Sequence, residues 1–182
     1  RHLTHGAWLD VRPGWLTAGD RLLEDLVHEV PWQAERRQMY DSVVDVPRLT
    51  RFYAEGEPLP RPILAQARDA LSAHYAGELG EPFTTAGMCL YRDGRDSVAW
   101  HGDRIGRSRE QDTMIAIVSL GADRPLSLRP RDGGASIKVA AGHGDLVVMG
   151  GSCQRTWDHA ILKTSAVVGP RISVQFRVSG VR

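Results

Sequence analysis

A mostly β fold, a sandwich or jelly roll braced by two N-terminal helices, is what this sequence predicts. Beyond Thr84, seven short stretches are apolar in alternation or continuously: 87–91, 113–120, 126–128, 136–139, 146–149, 156–162 and 172–178. Turn signals at Asp93-Gly94, Asp132-Gly133-Gly134, Gly142 and Gly150-Gly151 separate them, the punctuation of antiparallel strands. Before Thr84, two stretches repeat apolar residues at helical spacing instead. The length, 182 residues, bounds one domain with a sizeable core, and 42% hydrophobic with 25% charged residues is ordinary globular composition.

Taken in order, Ala7-Trp8-Leu9-Asp10-Val11 reads as a short strand. Thr17-Ala18-Gly19-Asp20 supplies an N-cap followed three positions later by an acid, and Leu22, Leu23, Leu26 and Val27 then form a helical stripe that Pro31 ends. A second helix is expected over 62–76, with Ile63, Leu64, Ala67, Leu71 and Tyr75 on one stripe. Both helices are expected to buttress a sheet, and His28 and His74 within them read as capping or surface residues. Between the helices, 30–61 reads as a long loop in which Trp32, Tyr40, Phe52 and Tyr53 are interleaved with Arg36, Arg37, Arg48, Arg51 and Arg61. Aromatics stack bases and arginines hold phosphates, which suits a nucleic-acid lid, although a loop packed over a sheet edge has the same composition.

A net charge of +1 sets up no global field that demands a polyanion, yet only Lys138 and Lys163 are lysines, so 21 of the 23 basic residues are arginine. Compositional bias and phosphate recognition both produce that ratio. Cys89 and Cys153 are too few for a disulfide framework and lack metal-site spacing, so a reduced, cytoplasmic protein is expected. No apolar run approaches the roughly 20 residues of a membrane span, and the first residues do not read as a secretory signal.

The chemistry concentrates between Trp100 and Arg177. His101 and Asp103 stand two apart, His159 follows 58 positions after His101, and Arg171 and Arg177 come 12 and 18 positions after His159. Two histidines and a carboxylate occupy one face of an octahedral metal and leave adjacent positions open, as non-haem Fe(II) oxygenases require; a zinc hydrolase also uses three protein ligands. Side chains two apart on an extended segment point the same way, so His101 and Asp103 are expected to converge from one strand. By the same rule Arg171, Ser173, Gln175 and Arg177 share one face of a strand and Ile172, Val174, Phe176 and Val178 the other. Two guanidinium groups on an inward face require anions, and a dicarboxylate offers each a planar partner, whereas on a surface strand they meet only water. His143-Gly144-Asp145 repeats the His-x-Asp pattern, but its glycine-rich setting assigns it to turn chemistry, with Asp145 bonding local amides.

The stretch Cys89-Leu90-Tyr91-Arg92-Asp93-Gly94-Arg95-Asp96-Ser97-Val98-Ala99-Trp100-His101-Gly102-Asp103 resembles the AlkB family of Fe(II)- and 2-oxoglutarate-dependent nucleic-acid dealkylases. Ser119-Leu120-Gly121, Gly144-Asp145-Leu146-Val147-Val148-Met149, Trp157-Asp158-His159, Pro47-Arg48-Leu49-Thr50 with Tyr53, and the Arg171-to-Arg177 strand add to the likeness, which runs from about Trp32 to the end. The resemblance implies one domain over 1–182, with a nucleotide-recognition lid at about 30–61 and a double-stranded β-helix, or jelly roll, at about 84–182. It implies His101, Asp103 and His159 as ligands of Fe(II), and Tyr91, Arg171, Ser173 and Arg177 as residues that bind 2-oxoglutarate, with O2 as the oxidant. Arg171 matches the clamp on the distal carboxylate and Arg177 the arginine near the metal. It further implies removal of N-alkyl lesions from DNA or RNA, single-stranded or with a flipped base, by a monomer that releases formaldehyde, succinate and CO2. Tyr53, Arg51, Trp100, Arg104 and Arg129 are the expected substrate contacts, and the 104–109 loop and Arg131 the further phosphate contacts. An oxygenase of the same core acting on a protein or small molecule is the alternative. Three positions depart from the family pattern: Ile105 replaces an acid, and Cys89 and Ser173 replace asparagines.

Overall fold

Two antiparallel sheets enclose the site, and every functional residue discussed below takes its direction from its place in one of them. The computed structural model describes residues 1–17, 20–39 and 42–181. The helix cap expected across Ala18 and Gly19, the lid aromatic Tyr40 and the side chain of Arg37 lie outside the described residues.

The strands are β1 (Ala7–Arg12), β2 (Gln33–Met39), β3 (Ser42–Tyr53), β4 (Thr85–Tyr91), β5 (Val98–His101), β6 (Ile115–Gly121), β7 (Leu126–Pro130), β8 (Ile137–Val139), β9 (Leu146–Gly151), β10 (Trp157–Ile161) and β11 (Arg171–Arg177). The major sheet has the order β1-β9-β6-β11-β4-β3-β2 and the minor sheet β5-β10-β7-β8. This is the expected jelly roll. β11 runs antiparallel between β4 and β6, with Arg171 paired to Tyr91 and Gly121, Ser173 to Cys89 and Ser119, and Arg177 to Thr85 and Ile115.

The helices are α1 (Asp20–Glu29), α2 (Pro62–His74) and the one-turn elements α3 (Ala76–Leu79) and α4 (Cys153–Thr156). Pro62 opens α2, where its missing N–H costs nothing. α2 buries Leu64, Ala67 and Leu71, and α1 packs on β6 and β11, burying Leu26. The two buttressing helices thus brace the major sheet, whose outer-face residues Ile172, Val174 and Phe176 are fully buried. No helix among the described residues is long and apolar enough to cross a membrane.

Three expectations are corrected. The 30–61 connection is not a loop but the β2–β3 hairpin, which extends the major sheet through pairing of β3 with β4. Pro47 sits where the β2–β3 register shifts, so its absent N–H breaks no ladder bond. Beyond Thr84 there are eight strands rather than seven, because the four-residue β5 is too short to show a period. Cys153 opens α4 instead of lying in a turn. Asp145 does bond amides, those of Gly142 and the distant Gly14, both at 2.8 Å, and Gly121 N–H donates to His143 Nδ1 at 3.1 Å, which keeps this second His-x-Asp in turn chemistry.

Candidate active site

His101 ends β5, and its register partner is His159 on β10, so two imidazoles stand side by side with ring centroids 4.3 Å apart. His101 Nδ1 lies 2.8 Å from the Ala99 carbonyl, which only an N–H can satisfy; Nε2 therefore keeps its lone pair for a metal. Asp103 completes the set, with one donor atom from each residue lying within 4.8 Å of the others. It does so from outside the strand. β5 stops at His101, so the two-residue spacing converges through a turn and not through strand alternation. Gly102 makes that turn possible, since a Cβ there would stand 2.5 Å from the Gln154 carbonyl oxygen. Beyond it, Asp103 N–H donates to Gln154 Oε1 at 2.9 Å, and Ser108 Oγ donates to the Asp103 carbonyl.

Arg177 secures the carboxylate itself. Its Nε and Nη2 both donate to Asp103 Oδ2, at 3.0 and 2.6 Å, while Oδ1 lies 3.5 Å from His101 Nε2. Burial alone would raise this carboxyl, but the Arg177 guanidinium and the two histidines overcome it and hold Asp103 well below the usual carboxylate range. Burial, and then the neighbouring His101, push His159 down to about 3. Asp103 and His159 are therefore held in the deprotonated form that metal ligation needs.

Arg171 lies at the other end of the same strand face, 1% exposed. Its Nη2 donates to Ser119 Oγ at 2.8 Å, and its Cζ sits 5.3 Å from the centre of the buried Tyr91 ring. Nε and Nη1 are buried with no hydrogen-bond partner. A buried cation with two idle donors is costly unless an anion completes it. This orphaned fork, on the strand face that also carries Arg177 against Asp103, fits a carboxylate-bearing ligand that reaches from Arg171 to a metal at His101, Asp103 and His159. Burial raises the Tyr91 hydroxyl pKa, keeping it a neutral hydrogen-bond donor.

Four of the five expected substrate contacts lie on strand faces opposite to those of the His-Asp-His set and Arg171. On β3, Arg51 is register partner of Met88 and Tyr53 of Ala86, so both lie on the face opposite Tyr91, Cys89 and Gly87. There Arg51 stacks on Tyr53 at 4.5 Å and pairs with Glu57. The β3 residues that share the site face are Thr50 and Phe52, partners of Cys89 and Gly87. On the minor sheet, Arg129 stacks on Trp100 at 4.4 Å, and Asp158 pairs with Arg129 at 3.6 Å and with Arg131 at 3.0 Å. Trp100 and Asp158 each alternate with a ligand histidine, so this stack faces away from the metal side. Arg104 alone adjoins the site, next in sequence to Asp103 and exposed beside Ile105, which is 70% exposed, with Arg107 paired to Glu81 and Arg109 exposed.

The sequence marks Ser119 only through the Ser119-Leu120-Gly121 likeness, without a role, and nothing local marks Gln154 as a support. Sequence reasoning also missed Arg124, which is 2% exposed and ties Asp93, Asp96 and Leu162 together through their carbonyls, positioning the turn beside Tyr91.

With the geometry in hand, the comparisons are specific. Residues 46–177 match the 2OG-Fe(II) oxygenase superfamily. The chain is 31% identical over 190 residues to the Bos taurus protein named alpha-ketoglutarate-dependent dioxygenase alkB homolog 3, covering 91% of this chain and 64% of that protein. It is 26% identical over 181 residues to the Homo sapiens DNA oxidative demethylase ALKBH2, covering 87% of this chain and 67% of that one. The chain thus spans about 64% of the length of the alkB homolog 3 relative. Among solved structures, OsALKBH1 superposes with a TM-score of 0.66 at 13% identity over 98% of this chain and 99% of its own. A Burkholderia pseudomallei oxidoreductase of the 2OG-Fe(II) oxygenase family gives a TM-score of 0.60 at 14% identity over 93% of this chain and 84% of its own.

Proposed function

The chain belongs to the 2OG-Fe(II) oxygenase superfamily, among its AlkB-like members, and from that premise we propose that it oxidatively removes N-alkyl groups from bases of DNA or RNA. The observation that carries the co-substrate half is the orphaned Arg171 fork facing the His101-Asp103-His159 triad. The names of its relatives, a dioxygenase and a DNA oxidative demethylase, support the substrate half.

His101 Nε2, Asp103 Oδ1 and His159 would hold Fe(II), and Arg171, with Ser119 and Tyr91 beside it, would hold the distal carboxylate of 2-oxoglutarate. When bound, iron and the keto acid supply the activation of O2, with succinate and CO2 as co-products and formaldehyde from an N-methyl group. The chain's own residues provide the rest. Arg177 fixes Asp103 so that one oxygen serves the metal and the other the guanidinium. Arg104 and Arg109, both exposed on the loop that follows Asp103, suit the phosphates of a single strand or of a flipped nucleotide, and the exposed Ile105 offers an apolar contact to a base. Two free cysteines fit a reducing compartment, and we place the protein in the cytoplasm as a monomer.

The test is an aerobic assay of formaldehyde and succinate across N-methylated adenine, cytosine and guanine oligonucleotides, single- and double-stranded, DNA and RNA. Formaldehyde matched by succinate is the expected result. Succinate formed only with a protein or small-molecule substrate would overturn the nucleic-acid reading and establish the alternative oxygenase.

A further inference from the structure

Along β11, Ser173 and Gln175 lie between Arg171 and Arg177, so a ligand that joins the orphaned Arg171 fork to the metal triad passes over them. This stretch of the pocket is where the chain departs from its relatives' pattern, with Cys89 and Ser173 at positions that the AlkB resemblance expects to be asparagines. Gln175 is the one side-chain amide on this face of β4, β6 and β11. The space it fills is prepared for it. Its register partner on β4 is Gly87, and a Cβ there would stand 3.4 Å from Gln175 Oε1 and 2.7 Å from Arg177 Nη1.

Hydrogen-bond polarity then runs one way. A guanidinium can only donate, so the atom that faces Arg177 Nη2 at 2.6 Å must be Oε1, and Nε2 must point along the strand toward Arg171. One Nε2 hydrogen reaches Ser173 Oγ at 3.0 Å. The other meets only the weak acceptor Cys89 Sγ, at 3.6 Å. Because Ser173 Oγ accepts from Gln175, its own O–H remains to be donated. The chain Asp103, Arg177, Gln175, Ser173 therefore starts on the expected metal ligand and ends in donors on the strand face that carries Arg171.

We propose that Gln175 is a co-substrate-positioning residue: held by Arg177, it directs its second N–H and, through Oγ, the Ser173 hydroxyl at the oxygens of a bound α-keto acid, supplying from position 175 the amide absent at 89 and 173. The inference rests on the reading of this pocket as the 2-oxoglutarate site. It adds a specific partner to that reading and a reason why the serine suffices.

The experiment is an anaerobic titration of Fe(II)-loaded protein with 2-oxoglutarate, followed by the visible absorbance of the keto-acid chelate, with no nucleic acid present. Fe(II) affinity is measured separately by calorimetry. Gln175→Leu is expected to weaken 2-oxoglutarate binding about tenfold or more, the effect of losing a hydrogen bond to a charged group, with Fe(II) affinity held within about twofold. Adding Ser173→Asn to that variant restores an amide and is expected to recover most of the loss. Gln175→Thr keeps a strand-compatible polar residue and is expected to move binding the same way should the leucine variant fold poorly. Unchanged 2-oxoglutarate affinity in both single variants overturns the proposal, as does a loss that Ser173→Asn leaves untouched while Fe(II) affinity falls in parallel. A parent protein that binds Fe(II) but no 2-oxoglutarate overturns the pocket reading itself, a result distinguishable from either.

Discussion

Arg177 and Asp103, 74 residues apart in the chain, meet through two nitrogens on one carboxylate oxygen, at 3.0 and 2.6 Å. The arrangement divides the carboxylate: Oδ2 belongs to the arginine, and Oδ1 is left on the side of His101. Arg177→Met removes the grip and leaves Asp103 buried without its cation. We expect Mn(II) or Fe(II) affinity to fall by about 10- to 100-fold, as for other residues that orient a ligand. Calorimetric metal titration checks this, and parent-like affinity would show that Arg177 does not orient the ligand.

Arg171 is a cation without an anion in the ligand-free fold. Arg171→Met keeps length and removes charge, so the metal-free protein is expected to gain about 1 kcal/mol or more of stability, because an uncompensated buried charge is lost. The same variant is expected to lose 2-oxoglutarate binding. Thermal melts with and without the keto acid read both effects: the parent melts higher with ligand and the variant does not respond. A destabilised variant that still responds would contradict the anion-clamp assignment.

Placement on the sheet faces separates the arginines. Arg51→Ala and Arg129→Ala alter residues turned away from the site, whereas Arg104→Ala and Arg109→Ala alter the exposed loop that follows Asp103, proposed as its rim. In binding to single-stranded oligonucleotide, each rim substitution is expected to weaken affinity and to reduce the slope of log affinity against log salt by roughly 0.7, the value for one single-strand phosphate contact. The outer-face pair is expected to leave the slope as it is. Equal effects from all four would indicate diffuse attraction with no defined rim.

Gly102 permits the turn that carries Asp103 from the strand end to the metal side. Gly102→Ala places a methyl 2.5 Å from the Gln154 carbonyl, so the 101–103 backbone must shift. We expect metal affinity to fall by at least about tenfold with the core unaffected. Metal titration beside far-ultraviolet circular dichroism checks this; full metal affinity would mean that the turn has slack which the packing does not show.

Acid stability has an identifiable contributor at the turn beside Tyr91. Asp96 is 4% exposed; burial would raise its carboxyl, but hydrogen bonds from the Arg92 side chain and N–H lower it below its ordinary value. A carboxyl depressed in the folded state adds stability above the ordinary Asp range, and that stability is lost as pH falls through the folded value. Asp96→Asn is therefore expected to cost about 1 kcal/mol at pH 7, a modest figure because Arg92 is half exposed. The difference from the parent shrinks as pH falls below about 4. Melting curves across pH 2 to 7 test the sign, and a gap that widens in acid would refute it.

The sequence by itself picked out the side chains that the fold gathers into the candidate site. His101, Asp103, His159, Arg171 and Arg177 were legible because the ligand types, their order and the period of two along the last strand constrain one another. So were both helices, whose apolar stripes run from Leu22 to Val27 and from Ile63 to Tyr75. Tertiary structure alone decided direction. Arg51 and Tyr53 have the same composition argument as Thr50 and Phe52, yet pairing of Leu49 with Leu90 sends the first two away from the site and the second two toward it. Trp100 and Arg129 likewise sit one position out of phase with His101 and with Leu128, the register partner of His159. A strand's period is written in its own residues, but its phase is fixed only when a neighbour pairs with it, and a shift of one residue exchanges the two faces.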